Sequence, residues 1–80
     1  IELRDREVVI GRNEKCHVSL DDHMVSRKHA RILRRQDEFL IEDLDSRNKT
    51  FVDGVALAPN APVALHDGAV IRISDFPFLF

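Results

Sequence analysis

The segment Met24-Val25-Ser26-Arg27-Lys28-His29-Ala30 places a hydroxyl, two cations and an imidazole side by side between apolar neighbours. Upstream stands Gly11-Arg12 and downstream Ser46-Arg47-Asn48. A guanidinium presents a planar fork of donors that matches two oxygens of one oxyanion, and a serine hydroxyl adds a directional donor. An asparagine both donates and accepts, and it tolerates the backbone angles of tight loops. The chemistry on offer is capture of an anion, provided three loops distant in sequence meet at one end of a small β-sandwich.

Other chemistries use some of the same residues. A hydrolase would take Ser26, His29 and Asp43 as a triad, but the sequence carries no oxyanion-hole motif of the G-x-S-x-G kind. A metal centre would draw on Cys16, His17, His23 and His29, whose spacing matches no zinc pattern. Gly11-Arg12 lacks the further glycines and the lysine of a nucleotide loop. Neither a catalytic residue, a metal nor a cofactor is therefore expected.

Eighty residues make one domain, near the lower limit of what a single apolar core can stabilise. No stretch is long or apolar enough to cross a membrane. The net charge of −2 conceals an asymmetry: residues 1–36 carry nine Lys/Arg against six Asp/Glu, and residues 37–80 three against eight. The basic first half suits an anionic partner, while the overall acidity argues against nonspecific DNA binding. A single cysteine, Cys16, cannot form an internal disulfide and points to a reducing compartment, cytoplasmic or nuclear. Because the chain opens on Ile1 and ends on Phe80, it is expected to be excised from a longer protein with further domains.

Positioning the anion-binding groups falls to short strands. Ile1 to Leu3 reads as a first strand, turned by Arg4-Asp5-Arg6. Glu7-Val8-Val9-Ile10 is rich in β-branched residues and stops at Gly11, where glycine permits a tight turn and leaves Arg12 facing a loop. His17 to Leu20 reads as a short strand. Asp22 to Arg35 is ambiguous: Asp22 suits a helix cap and the residues after it are good helix formers, yet Ala30, Arg31 and Ile32 alternate as a strand would. Phe39 to Leu44 is a strand, and Thr50-Phe51-Val52 and Val55-Ala56-Leu57 flank the hairpin signal Asp53-Gly54. Pro59 to Pro62 is a loop, Ala69 to Ile73 a strand, and Phe76 to Phe80 a last strand that Pro77 confines to a sheet edge. Closely spaced short strands describe an all-β sandwich or barrel.

The ordered blocks Gly11-Arg12, Ser26-x-x-His29, Asp43-Leu44-x-Ser46-x-Asn48-x-Thr50-Phe51-Val52-x-Gly54 and His66-Asp67-Gly68-Ala69-Val70-Ile71 resemble the forkhead-associated (FHA) domain, from about Val8 to Ile73. The resemblance implies a β-sandwich of about eleven short, mostly antiparallel strands that binds phosphothreonine peptides through loops at one end. It also implies a strand, not a helix, from His29 to Arg35.

Residue by residue, Arg12 matches the family's phosphate-binding arginine, Ser26 its phosphate-binding serine and Asn48 the asparagine that holds the peptide backbone. Gly11, His29 and Gly54 match positions that shape loops. Arg27 and Arg47 sit beside motif positions as second phosphate contacts. Met24 lies where the family selects the third residue after the phosphothreonine, and an apolar side chain there is expected to disfavour an acidic one. Two residues depart from the pattern. Asp53 replaces the usual asparagine and still suits a turn. Lys49 replaces a glycine whose backbone angle lysine resists, so it either shifts Asn48 or brings another cation to the phosphate. The expected partner is a phosphothreonine-containing protein, with neither nucleic acid nor membrane. Two alternatives stand beside it: an FHA-like domain that binds without phosphate, and a small nucleic-acid binder using Arg27 to Arg35 as a basic helix.

Overall fold

A computed structural model describes residues 7–80. The strand and turn expected at Ile1–Arg6 lie outside the described residues. Among the described residues nine strands form: β1 (Glu7–Gly11), β2 (Val18–Ser19), β3 (Ala30–Arg35), β4 (Glu38–Asp43), β5 (Thr50–Val52), β6 (Val55–Ala56), β7 (Val63–Ala64), β8 (Val70–Ile73) and β9 (Phe76–Leu79). They make two sheets, ordered β2-β1-β3-β4-β7 and β6-β5-β8-β9. Every pairing of named strands is antiparallel except β1 with β2.

The count falls short of eleven for two visible reasons. One expected strand falls on residues 1–6, outside the described residues. Around Pro59 the chain manages only a single bridge to Asp43, since Pro59 and Pro62 have no N–H to extend a ladder. β7 forms just past the loop expected at Pro59 to Pro62, at residues the sequence reading assigned to no element. A two-residue strand is too short to display alternation.

The core is made by inward-facing β-branched and aliphatic side chains of both sheets, with Ile10, Ala30 and Ile41 of the first packed in one cluster with Ile71 and Ile73 of the second. Burying each isoleucine contributes about 1.5–3 kcal/mol. Phe39 and Phe80 meet edge to face, their centroids 5.4 Å apart, and tie the chain's end to β4. Pro77, on the edge strand β9, pairs with Arg72 of β8, as its missing donor requires.

The ambiguous stretch resolves into a turn and a strand. Asp22 does cap, but it caps a turn: its carboxylate accepts the Met24 N–H at 2.8 Å and its carbonyl the Val25 N–H at 2.9 Å. Val25 then plunges into the core, and Ala30–Arg35 pairs with β1 on one side and β4 on the other. No helix occurs among the described residues, which removes the basic helix that a nucleic-acid binder would have used.

Candidate functional site

The loop after β1 and the loop before β3 lie against each other. The Arg12 N–H donates to the Ser26 carbonyl at 2.9 Å, Asn13 N–H to Arg27 at 3.2 Å, and His29 N–H to Ile10 at 2.8 Å. Gly11 is needed here for space, not for a special turn angle as its sequence position suggested. A Cβ at this position would overlap the Arg27 carbonyl oxygen, and Gly11 is absent from the positive-φ glycines.

Two buried polar side chains hold the third loop in place. His29 is fully buried: its Nδ1 lies 3.0 Å from the Ser26 N–H and its Nε2 2.8 Å from the Lys49 carbonyl. Nδ1 must accept, so the proton resides on Nε2, which donates. Asp43 takes the Ser46 N–H at 3.0 Å, the Thr50 hydroxyl at 2.7 Å, and the Ser46 hydroxyl in a short contact. One histidine and one aspartate thus brace the loop 44–49 from both ends.

Lys49 sits at φ +67°, the left-handed region that a glycine would enter freely. Its carbonyl is the one His29 grips, so the buried histidine holds the backbone at the position of the departure. Asn48 is held as well, its Nδ2 donating to the Met24 carbonyl at 2.7 Å.

Arg12, Ser26, Arg27, Arg47 and Asn48 all line one open concavity of about 210 Å³, together with His23, Met24 and Val25. Gly11 and His29 lie behind it. Gly54 is not part of it: it occupies the β5–β6 turn, where Asp53 at φ +50° and Gly54 at φ +82° supply the paired positive angles of a type I′ hairpin. His23 and the clamping role of Asp43 escaped the sequence reading. No local signal marks His23 as part of the concavity, or Asp43 as an acceptor for residues up to seven positions away.

The electrostatic character of the concavity follows from what is already bonded. The Ser26 Oγ accepts the Arg47 N–H at 3.0 Å, which leaves its own proton to donate outward. None of Arg12, Arg27 and Arg47 forms an ion pair among the described residues. The side chains facing the concavity are therefore chiefly donors without an ion-pair partner among the described residues. The same bonds exclude a triad, because His29 binds the Ser26 backbone, not its hydroxyl, and Asp43 is committed to Ser46 and Thr50. Among the described residues no three His, Cys, Asp or Glu side chains converge as metal ligands would.

A two-sheet sandwich that presents a braced, anion-seeking loop cluster at one end defines a class of binding module. The chain belongs to the FHA domain family, whose model matches residues 8–74. It is 36% identical over 73 residues to the FHA domain-containing protein FhaB of Mycolicibacterium smegmatis, covering 91% of this chain and 46% of that protein. The chain thus spans about half the length of the curated relatives it matches. Among solved structures, Mycobacterium tuberculosis EmbR in complex with a low-affinity phosphopeptide superposes with a TM-score of 0.86 at 36% identity, over 91% of this chain and 19% of EmbR. The N-terminal FHA domain of S. cerevisiae Rad53p in complex with a phosphothreonine peptide gives 0.82 at 30% identity, over 91% of this chain and 61% of that one.

Proposed function

We infer that this chain is a phosphopeptide-binding module that recognises phosphothreonine in partner proteins, for signalling or assembly. The observation that carries the reading is the convergence of Arg12, Ser26 and Asn48 on one concavity whose hydroxyl and guanidinium donors have no internal acceptor among the described residues. A phosphothreonine brings about −1.5 to −2 charges and three acceptor oxygens to such a site. Arg12 would grip two oxygens and Ser26 Oγ a third, with Arg27 and Arg47 adding charge. Each charge-assisted bond contributes about 1.5–3 kcal/mol, enough for reversible binding with no chemistry on the phosphate. Asn48, fixed by Met24, keeps its amide oxygen for the peptide backbone.

Met24 supplies the exposed apolar side chain of the lining, where a threonine methyl adds about 0.8 kcal/mol over serine. The module has no catalytic role in this reading, and it works inside the cell, in cytoplasm or nucleus, as one domain of a longer protein. The phosphorylated peptides held by EmbR and Rad53p support the phosphate-dependent reading over a phosphate-independent one. An NMR titration tests it. A phosphothreonine peptide should shift the amides of Arg12, Ser26, Arg47 and Asn48, and its unphosphorylated twin should not. Shifts confined to the sheet faces would contradict the reading.

A further inference from the structure

A second hollow lies beside the first. Its volume is about 350 Å³ and its lining is Val9, Asn13, Lys15, Cys16, His17 and Lys28. The wall between the two is the hydrogen-bonded pair of chain segments Arg12-Asn13 and Ser26-Arg27-Lys28. Successive residues line opposite sides: Arg12 and Arg27 the first hollow, Asn13 and Lys28 the second.

The second hollow also offers donors with their acceptors already used. Asn13 Oδ1 takes the Lys15 N–H at 2.9 Å, leaving the Asn13 amide NH2. His17 Nδ1 takes the Val9 N–H at 2.9 Å, which puts the ring proton on Nε2. The Cys16 thiol donates to the Arg27 carbonyl at 3.2 Å. Lys15 and Lys28 are exposed, and neither forms an ion pair among the described residues. Among the described residues no carboxylate lines the hollow.

We propose that this hollow receives a second anionic side chain of the same phosphopeptide, a carboxylate or a further phosphate, held chiefly by Lys15 and Lys28. The proposal rests on the phosphothreonine reading of the first site. Paired chains lie about 4.8 Å apart and an extended peptide advances about 3.4 Å per residue, so crossing the wall takes about two to four residues. The preferred ligand is therefore an acidic or multiply phosphorylated segment, not an isolated phosphothreonine.

Fluorescence anisotropy on the wild-type chain tests this with a phosphothreonine peptide in an alanine background. One glutamate, or one phosphoserine, is walked through every position within about four residues of the phosphothreonine. The expected result is a gain of about two- to fivefold for glutamate at a position on one side only, and more for phosphoserine. In Lys15→Ala/Lys28→Ala the gain disappears while the background peptide binds as it does to wild type. A gain with phosphoserine alone assigns the hollow to a second phosphate, and a gain with both assigns it to anions generally. No gain at any position, or a gain that survives the double substitution, overturns the proposal. If the background peptide and all its variants fail to bind wild type, the phosphothreonine reading itself falls and takes the proposal with it.

Discussion

Arg31, Arg34 and Arg72, on the strands, all lie against partners, whereas Arg12, Arg27 and Arg47, at the loop end, form no ion pair among the described residues. Arg31 bridges Glu7 at 2.8 Å and Glu42 at 2.7 Å. Arg72 stacks 4.3 Å from the Phe51 centroid and donates to the Ser74 carbonyl, and Arg34 lies 5.9 Å from that of Phe39 and donates to Gln36. Arg31, Arg34 and Arg72 answer to groups on neighbouring strands, so those partners come with the register; Arg35, at the exposed end of β3, has no such partner among the described residues. The cations at the loop end share a concavity with Ser26, whose Oγ already accepts the Arg47 N–H, and with Asn48, whose amide NH2 already donates to Met24. The contrast separates charge that supports the fold from charge held ready for something outside it.

The largest effect should come from removing the frame of the loop end. Asp43→Ala strips the acceptor from Ser46 and Thr50 and should cost about 2–3 kcal/mol in urea unfolding, with phosphopeptide affinity falling alongside. An unchanged unfolding midpoint would mean the loop does not depend on that clamp. Lys49→Gly relieves a left-handed angle at the cost of chain entropy and should stabilise by up to about 1 kcal/mol, with binding preserved. Destabilisation would show that the lysine side chain contributes in its own right. Arg31→Ala should change stability by less than about 1 kcal/mol, since its pairs are partly exposed, and should leave peptide binding untouched. A binding loss there would erase the distinction between the two groups of cations.

The smallest effect concerns pH and sits away from the site. The Val70 N–H and then His66 hold the Asp53 carboxyl below its ordinary value of 3.8. The Asp53 carboxylate, then the Asp67 carbonyl, hold the His66 imidazole above its ordinary 6.5. Asp53 contributes fully above 3.8 and loses its contribution as pH falls through its lower folded value. His66 contributes fully below 6.5 and loses its contribution as pH rises through its higher folded value. The pair therefore supports the β5–β6 hairpin most between pH 3.8 and 6.5. In an NMR titration the His66 midpoint should drop towards the ordinary value in Asp53→Asn. Phosphopeptide affinity should move the other way with pH, strengthening through about pH 6 as the phosphate gains its second charge.

Local signals in the sequence foretold much of the fold. Asp53-Gly54 announced its hairpin, Pro77 its edge, and the β-branched runs their strands, because each acts on its own neighbours. The stretch from Asp22 to Arg35 resisted, since a capping aspartate serves a turn as well as a helix and only the cross-strand partners Ile10 and Asp43 decide between them. Arg12, Ser26 and Asn48 were recognisable by type and order. What joins them was not: the Arg47 N–H reaches Ser26 across 21 residues and His29 reaches Lys49 across 20. Gly11 was noticed for the wrong reason, because the oxygen it makes room for belongs to a distant loop.

Calorimetry with one peptide in its threonine and phosphothreonine forms, on wild type and on Arg12→Ala, tests the central claim most directly. Wild type should bind the phosphorylated form alone, and Arg12→Ala should lose about ten- to a hundredfold of that affinity while unfolding at the wild-type midpoint. Equal affinity of wild type for both forms, or an Arg12→Ala chain that binds the phosphopeptide as well as wild type does, would contradict the account.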